Sequence, residues 1–231
     1  MKLIVMTSDK HMPLLLPFSY LFNKYWGPDQ AVTVCHYTQP NFLLPENFGY
    51  FRIGYQADYP FQKWSDSLIR VLNSIEEETV VIMLEDYWLC REVDRQAVAD
   101  LNDFAIAEKR ILKIDLMSDR LYAASMQDYA SLGHLDLIKS SPSSAYHMSL
   151  MTGIWRVDNL LSVLIPNESA HDIEIRGTTR VREKFEDLLV LGTRQFPVRH
   201  PHVVNSQNPH KIDMTGIHAI DINYIMERGW A

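Results

Sequence analysis

Thr79-Val-Val-Ile-Met-Leu-Glu-Asp-Tyr-Trp-Leu89 decides how the rest of the chain is read. Val80 to Leu84 is a run of β-branched and large apolar residues, the composition of a strand buried on both faces. The run stops at two adjacent carboxylates, Glu85 and Asp86, and two aromatics, Tyr87 and Trp88. In open α/β sheets, ligands bind beyond the carboxyl ends of the strands. A buried strand ending in acid is therefore a candidate seat for a hard cation, because magnesium and manganese take oxygen ligands and bridge carboxylates to phosphates. The plainer reading is a strand end turning polar where it meets water. This stretch alone does not separate the two.

Working outward, the same alternation recurs on both sides. Leu3 to Met6 predicts a first strand that opens into the polar loop Thr7-Ser8-Asp9-Lys10. No glycine-rich phosphate fingerprint follows it, which argues against a dinucleotide fold and a P-loop. Leu14 to Trp26 has a dense apolar face and stops at Gly27-Pro28, as a helix does. Ala31 to Cys35 predicts a second strand, and Asn41 to Pro60 a loop with a short strand near Phe51 to Ile53. Trp64, Leu68, Val71, Leu72 and Ile75 lie at helical spacing. Asp94 can cap a helix carrying Ala97, Val98, Leu101 and Phe104, and Arg110 to Met117 predicts another strand. The order β-α-β-α-β implies an α/β domain with a mostly parallel central sheet flanked by helices.

The second half is less regular. Arg120 to Leu137 mixes strand-like pieces and turns, Ser140 to Ser144 is a polar loop, and Ala145 to Met151 is a candidate strand. Arg156 to Leu164 reads as a short helix, and Ser169 can cap a further helix containing Asp172 and Glu174. Apolar density returns at Leu188 to Leu191, and Ile217, Ile220, Tyr224 and Ile225 have helical spacing near the end. Neither an internal repeat nor a separating linker is evident, so residues 1–231 are read as one domain.

Composition narrows the classes. An apolar fraction of 47% and a charged fraction of 22% over 231 residues suit a globular chain with a sizeable core. The net charge of −7 argues against a broad nucleic-acid surface, although a local basic groove is compatible with it. Cys35 and Cys90 are too few for a disulfide framework and lack metal spacing. The opening apolar run is too short for a signal peptide, and no stretch has the length of a membrane span. A cytoplasmic protein with reduced thiols is the expectation.

Four stretches together resemble the GT-A-fold glycosyltransferases of bacterial and phage surface-glycan synthesis. They are Leu3-Ile-Val-Met-Thr-Ser-Asp-Lys10 with Tyr25-Trp26, the helix from Trp64, Val81-Ile-Met-Leu-Glu-Asp-Tyr-Trp88, and the pair Ser149-Leu-Met-Thr-Gly-Ile-Trp155 and Glu168-Ser-Ala-His-Asp-Ile-Glu174. None is individually diagnostic; their order and spacing carry the likeness. The resemblance implies a donor-binding half of about 1–118 and an acceptor-binding half of about 119–231. It implies a nucleotide-sugar donor held by Thr7, Ser8, Asp9, Trp64 and Glu85. It also implies a divalent manganese or magnesium ion on Asp86, the family's acidic motif being Asp-x-Asp or a paired acid. Consecutive strand residues point to opposite faces, so Glu85 and Asp86 share one ion only if the strand has already turned.

Glu174 falls where the resemblance puts the base that takes the acceptor's proton in an inverting transfer. Related sequences look like Glu-Ser-x-Trp-x-x-Glu there, and His171 stands here in the Trp position. In a regular helix His171, Glu174 and Ile175 share a face. A solvated helix carboxylate is the plain alternative for Glu174. Trp155 reads equally as an acceptor platform or a core residue. His202, two residues from His200, is a candidate late metal ligand, with a surface histidine as the commoner outcome. Arg176, Arg180 and Arg182 are candidate phosphate contacts, again against a solvated face. The acceptor is expected to be a glycan or other hydroxyl, a modified DNA base included. A catalytically inactive nucleotide-binding module and a nucleotidyltransferase use the same acids and remain alternatives.

Overall fold

The computed structural model describes residues 1–118, 120, 126–141, 143–204 and 211–231. Part of the mixed stretch 120–137 and Pro142 of the polar loop lie outside the described residues. The strands are β1 (Lys2–Met6), β2 (Val32–His36), β3 (Phe48–Arg52), β4 (Thr79–Leu84), β5 (Ile111–Asp115), β6 (Met126–Leu132), β7 (Leu135–Ser140), β8 (Gly153–Arg156) and β9 (Leu189–Thr193). The described α-helices, numbered here in order, are α1 (Leu15–Tyr25), α2 (Trp64–Leu72), α3 (Arg95–Ala107), α4 (Val157–Val163), α5 (Ala170–Asp172), α6 (Thr178–Lys184) and α7 (Ala219–Glu227).

The strands form a nine-stranded sheet in the order β3-β2-β1-β4-β8-β5-β9-β7-β6. Its first part follows the expected βα logic, with β2, β3 and β4 joined in parallel around β1. The mostly parallel expectation is corrected beyond β4. There β8 enters between β4 and β5, antiparallel to both. The β6–β7 hairpin then joins β9 antiparallel at the far edge, while β5 and β9 remain parallel. Side-chain alternation reports which faces are buried but not which way a strand runs. The four residues of β8 therefore gave no warning of their direction. Ala145 to Met151, read as a strand, is instead turns and bends that lead into β8.

Period two sorts the strand residues into two core layers. Leu3, Val5, Val81 and Met83 face α1 and α3, meeting Phe18, Phe22, Val98 and Leu101. Ile4, Met6, Val80 and Ile82 face the other way, toward Leu68 and Val71 of α2 and Leu160 of α4. Both sides of β1 and β4 are thus dry, and each large apolar side chain buried there contributes roughly 1.5–3 kcal/mol. The Asp94 carboxylate accepts the Ala97 N–H at 3.0 Å and caps α3. Ser169 and Asp172 form a reciprocal capping box at α5. Among the described residues no helix is long and apolar enough to cross a membrane.

Candidate functional site

β1 and β4 are adjacent and parallel, with Met6 level with Leu84. Their outgoing loops, Thr7–His11 and Glu85–Tyr87, therefore emerge side by side at one edge of the sheet. Between them and α2 lies a cleft of about 780 Å³ with largely apolar walls. It is lined by Thr7, Ser8, Asp9, Trp64, Glu85, Asp86 and His202, all singled out from sequence, together with Ala170 of α5. Tyr37, Gln56, Tyr59, Phe61 and His11 complete the walls, and no sequence argument had found them. The aromatics come from the irregular stretch after β2, where apolar residues without a period gave no basis for choosing among them.

Each loop is held by its own polar contacts. Asp9 accepts the Thr38 backbone N–H at 3.0 Å and the Thr38 hydroxyl at 2.7 Å, while its own N–H donates to Gln56 Oε1 at 3.3 Å. Asp9 thus ties the β1 loop to the end of β2. Glu85 is 6% exposed, and its Oε1 lies 3.1 Å from His11 Nδ1. That pairing orients the ring and places the proton on Nδ1. His11 Nε2 is buried with no hydrogen-bond partner among the described residues.

Asp86 differs from its neighbour. Neither a side-chain donor nor a cation pairs with its carboxylate among the described residues, and its own amide is the one group hydrogen-bonded to it. Burial pushes its carboxyl up to about 7, with the negative charge of Glu85 adding to the effect. The Asp86 carbonyl accepts the Val203 N–H at 3.2 Å, and Tyr87 forms a β-bridge with His202. This pairing brings the late histidine beside the acid pair. His202 stacks on Tyr87 with ring centroids 4.9 Å apart, and its Nε2 lies 2.7 Å from Met151 Sδ. His200 stacks on Tyr87 as well, at 4.4 Å, but it is buried against the Thr152 hydroxyl, and burial holds its imidazole down at about 3.

A divalent ion fits this donor set. Asp86 offers a half-buried carboxylate with no ion-pair partner among the described residues, and His202 lines the same cleft. Among the described residues no three His, Cys, Asp or Glu side chains come together as a metal cluster. An ion here would accordingly take few protein ligands and complete its shell from phosphates and water, as magnesium sites commonly do.

Other expectations are relocated. Glu174 does not line the cleft; its Oε1 accepts the Leu150 N–H at 2.8 Å, and the Leu150 carbonyl accepts the Tyr87 hydroxyl at 3.4 Å. Glu174 is therefore linked to the cleft wall through the backbone of one residue, Leu150. The expected i, i+3 face is broken, because α5 passes into a π turn over Ile173–Gly177. His171 is exposed on α5 and also lies outside the cleft lining. Trp155 is corrected outright: it is 0% exposed in β8, within the core, with Lys113 Nζ 4.9 Å from its ring centre, so it presents no face to an acceptor. Arg176 pairs with Asp172, Arg180 with Glu168, and Arg182 donates to the Ser144 carbonyl. These three serve local structure.

No protein-family model matches the sequence, and no curated protein matches it. Among solved structures, the chain is similar to Staphylococcus aureus TarS at 13% identity and a TM-score of 0.52, over 88% of this chain and 37% of that one. It is also similar to a cytidylyltransferase from Leptospira borgpetersenii at 10% identity and a TM-score of 0.48, over 99% and 94% of the two chains. A third is a UDP-glucose pyrophosphorylase complexed with UDP-glucose, at 9% identity and a TM-score of 0.48, over 99% and 100%. At such identities the likeness is one of fold, and the chain spans little more than a third of TarS.

Proposed function

We propose that the chain is a nucleotide-sugar-dependent glycosyltransferase of the GT-A type, metal-assisted and inverting. The observation that carries this reading is the convergence of the β1 loop, Asp86 and His202 on one aromatic-walled cleft at the carboxyl edge of the sheet. Tyr37, Tyr59, Phe61 and Trp64 provide flat apolar surfaces suited to a nucleobase and a sugar ring. Asp86 and His202 would hold a manganese or magnesium ion. Such an ion supplies Lewis-acid stabilisation of a departing diphosphate.

In the transfer, the bond between the anomeric carbon and the diphosphate oxygen breaks as the acceptor oxygen bonds to that carbon. The acceptor proton passes to Glu174, and nucleoside diphosphate leaves. The Leu150 N–H fixes one Glu174 oxygen, and the Leu150 carbonyl accepts from the Tyr87 hydroxyl of the cleft wall. His11, oriented by Glu85, screens the second acid of the pair. The acceptor is a glycan or another hydroxyl compound, and its identity belongs to experiment.

A thermal-shift screen of nucleotide-sugars with and without manganese is the first test. A ligand that binds the folded state raises its apparent stability. Metal-dependent stabilisation should be lost in Asp86→Ala, and its persistence there would sink the metal role. The base is tested by Glu174→Gln, which keeps the shape but cannot take the proton. Turnover should fall by roughly a hundred- to ten-thousand-fold with donor affinity, read by calorimetry, nearly intact.

The placement of Glu174 outside the cleft lining favours a second reading, nucleotidyl transfer, which does not call on a base at that position. Release of pyrophosphate instead of nucleoside diphosphate, with normal turnover in Glu174→Gln, would replace the first reading by the second.

A further inference from the structure

A second pocket, of about 490 Å³, lies on the other side of the 199–204 segment. Arg91, Arg199, Cys90, Ser118 and Thr215 are among its lining residues, and among the described residues no carboxylate lines it. Its wall is shared with the cleft: His200 lines this pocket and stacks on Tyr87, which lines the cleft.

The two arginines stand apart from most others in this acidic chain. Arg95, Arg110, Arg120, Arg156, Arg180 and Arg194 each pair with a carboxylate. Arg199 is exposed and has neither an ion pair nor a side-chain hydrogen bond among the described residues. Arg91 is anchored but has no ion pair among the described residues. Its guanidinium donates to the Phe196 carbonyl at 2.7 Å and lies 5.0 Å from the centre of the Phe196 ring. Phe196 has φ of 27°, a conformation costly for a bulky residue. Its strained backbone is what aims that carbonyl and ring at Arg91. Both guanidinium charges act on the Cys90 thiol between them, opposing the burial that raises it.

We infer that this pocket is an oxyanion site for a phosphate-bearing ligand, with Arg91 as the fixed guanidinium and Arg199 as the adjustable one. Two guanidiniums match the charge and the several acceptor oxygens of a phosphate dianion better than a carboxylate's single charge. The Ser118 and Thr215 hydroxyls supply further donors. Because one ring wall separates this pocket from the cleft, the bound molecule is the group acceptor; that assignment rests on the transferase reading, whereas the oxyanion site itself does not.

The test uses the full chain with phenyl phosphate, benzoate and phenol as probes. Calorimetry measures affinity, and the rate of Cys90 alkylation by iodoacetamide reports location, since Cys35 is fully buried and Cys90 only partly. Phenyl phosphate should bind, slow Cys90 alkylation at least several-fold, and weaken with added salt. Arg199→Gln, which breaks no ion pair or side-chain hydrogen bond among the described residues, should weaken phenyl phosphate about tenfold or more, while Asp86→Asn should leave it unchanged. Equal affinity in Arg199→Gln and wild type overturns the proposal. So does loss on Asp86→Asn instead, which would put the phosphate in the cleft. Equal protection by phenol would mean an apolar pocket, and equal binding of benzoate a carboxylate site. If phenyl phosphate binds as expected but Arg199→Gln leaves kcat/KM for phosphorylated acceptors untouched, the acceptor assignment fails and the oxyanion site stands.

Discussion

Two strands that run parallel with β8 between them each end in an acid, and the chain treats the two acids in opposite ways. Asp115 closes β5 and is 0% exposed, as is Lys113 beside it. Lys113 pairs with one Asp115 oxygen, and Arg120 Nε lies 2.5 Å from the other. The cations are themselves held: Lys113 donates to the Ser149 carbonyl at 2.7 Å, and Arg120 donates to Ser140 Oγ at 3.0 Å and the Tyr146 carbonyl at 2.7 Å. Asp86 follows β4 on the same edge, is half-buried, and has no ion-pair partner among the described residues. A buried charge without a partner is costly, and its presence in a folded protein calls for a partner that arrives from outside. Asp115 organises the fold around the 140s; Asp86 waits for a ligand.

The comparison breaks most visibly at Asp115. Asp115→Ala leaves Lys113 and Arg120 buried without their counter-charge, and should cost about 3–5 kcal/mol in denaturant unfolding. A loss below 1 kcal/mol would show the triad to be dispensable and the contrast with Asp86 empty.

Asp86 offers the next largest effect, with the opposite sign. An aspartate in the unfolded chain titrates near 3.9, and the folded one near 7. Between those values the folded protein holds a proton that the unfolded one has released. Stability of the metal-free protein should therefore fall as pH rises from about 4 to about 7, by at most about 1.4 kcal/mol per unit. His200 works the other way below about 6.5, because its folded imidazole refuses a proton that the unfolded one accepts. The difference between wild type and Asp86→Asn isolates the aspartate. The variant should gain relative stability with rising pH, and manganese should close the gap by stabilising wild type alone. A pH-independent difference would mean that Asp86 is solvated.

His11→Ala should have the smallest effect. It removes the imidazole paired with the Glu85 carboxylate and should cost about 1 kcal/mol, with a few-fold loss of donor affinity. A full loss of metal-dependent stabilisation in this variant would mean that the imidazole, and not only Asp86, binds the ion.

Much of this contrast was present in the sequence, but not its meaning. Val80 to Leu84 followed by Glu85-Asp86 identified the strand and its acids, because a doubly buried strand needs an unbroken apolar run and any charge must wait for its end. Lys113 and Asp115 lay within a segment read as strand, but nothing local marked them as a pair. Their pairing depends on Arg120 and on β8 passing alongside. The Thr7–Asp9 loop was found for the same reason as Asp86, since it follows a buried strand, whereas the donor-site reading of Trp64 came from the family resemblance. Trp155 was ambiguous for the converse reason: a large aromatic in a short strand looks alike whether its neighbours cover it or a ligand does.

What the sequence determined by itself is the α/β alternation of the first half, the faces of β1 and β4, the caps at Asp94 and Ser169, and the position of the acids at a strand end. Those follow from side-chain period, apolar content and local hydrogen-bonding chemistry, which act over a few residues. Tertiary structure alone decided the antiparallel insertion of β8, the π turn that re-aims Glu174, and the pairing of His11 with Glu85. It also decided the approach of His202 to the Asp86 strand end and the absence of an ion pair at Arg199 among the described residues. Each of these is a meeting of segments distant in the chain, set by how the sheet closes its two dry faces, and no local pattern encodes which distant partner a polar group will find.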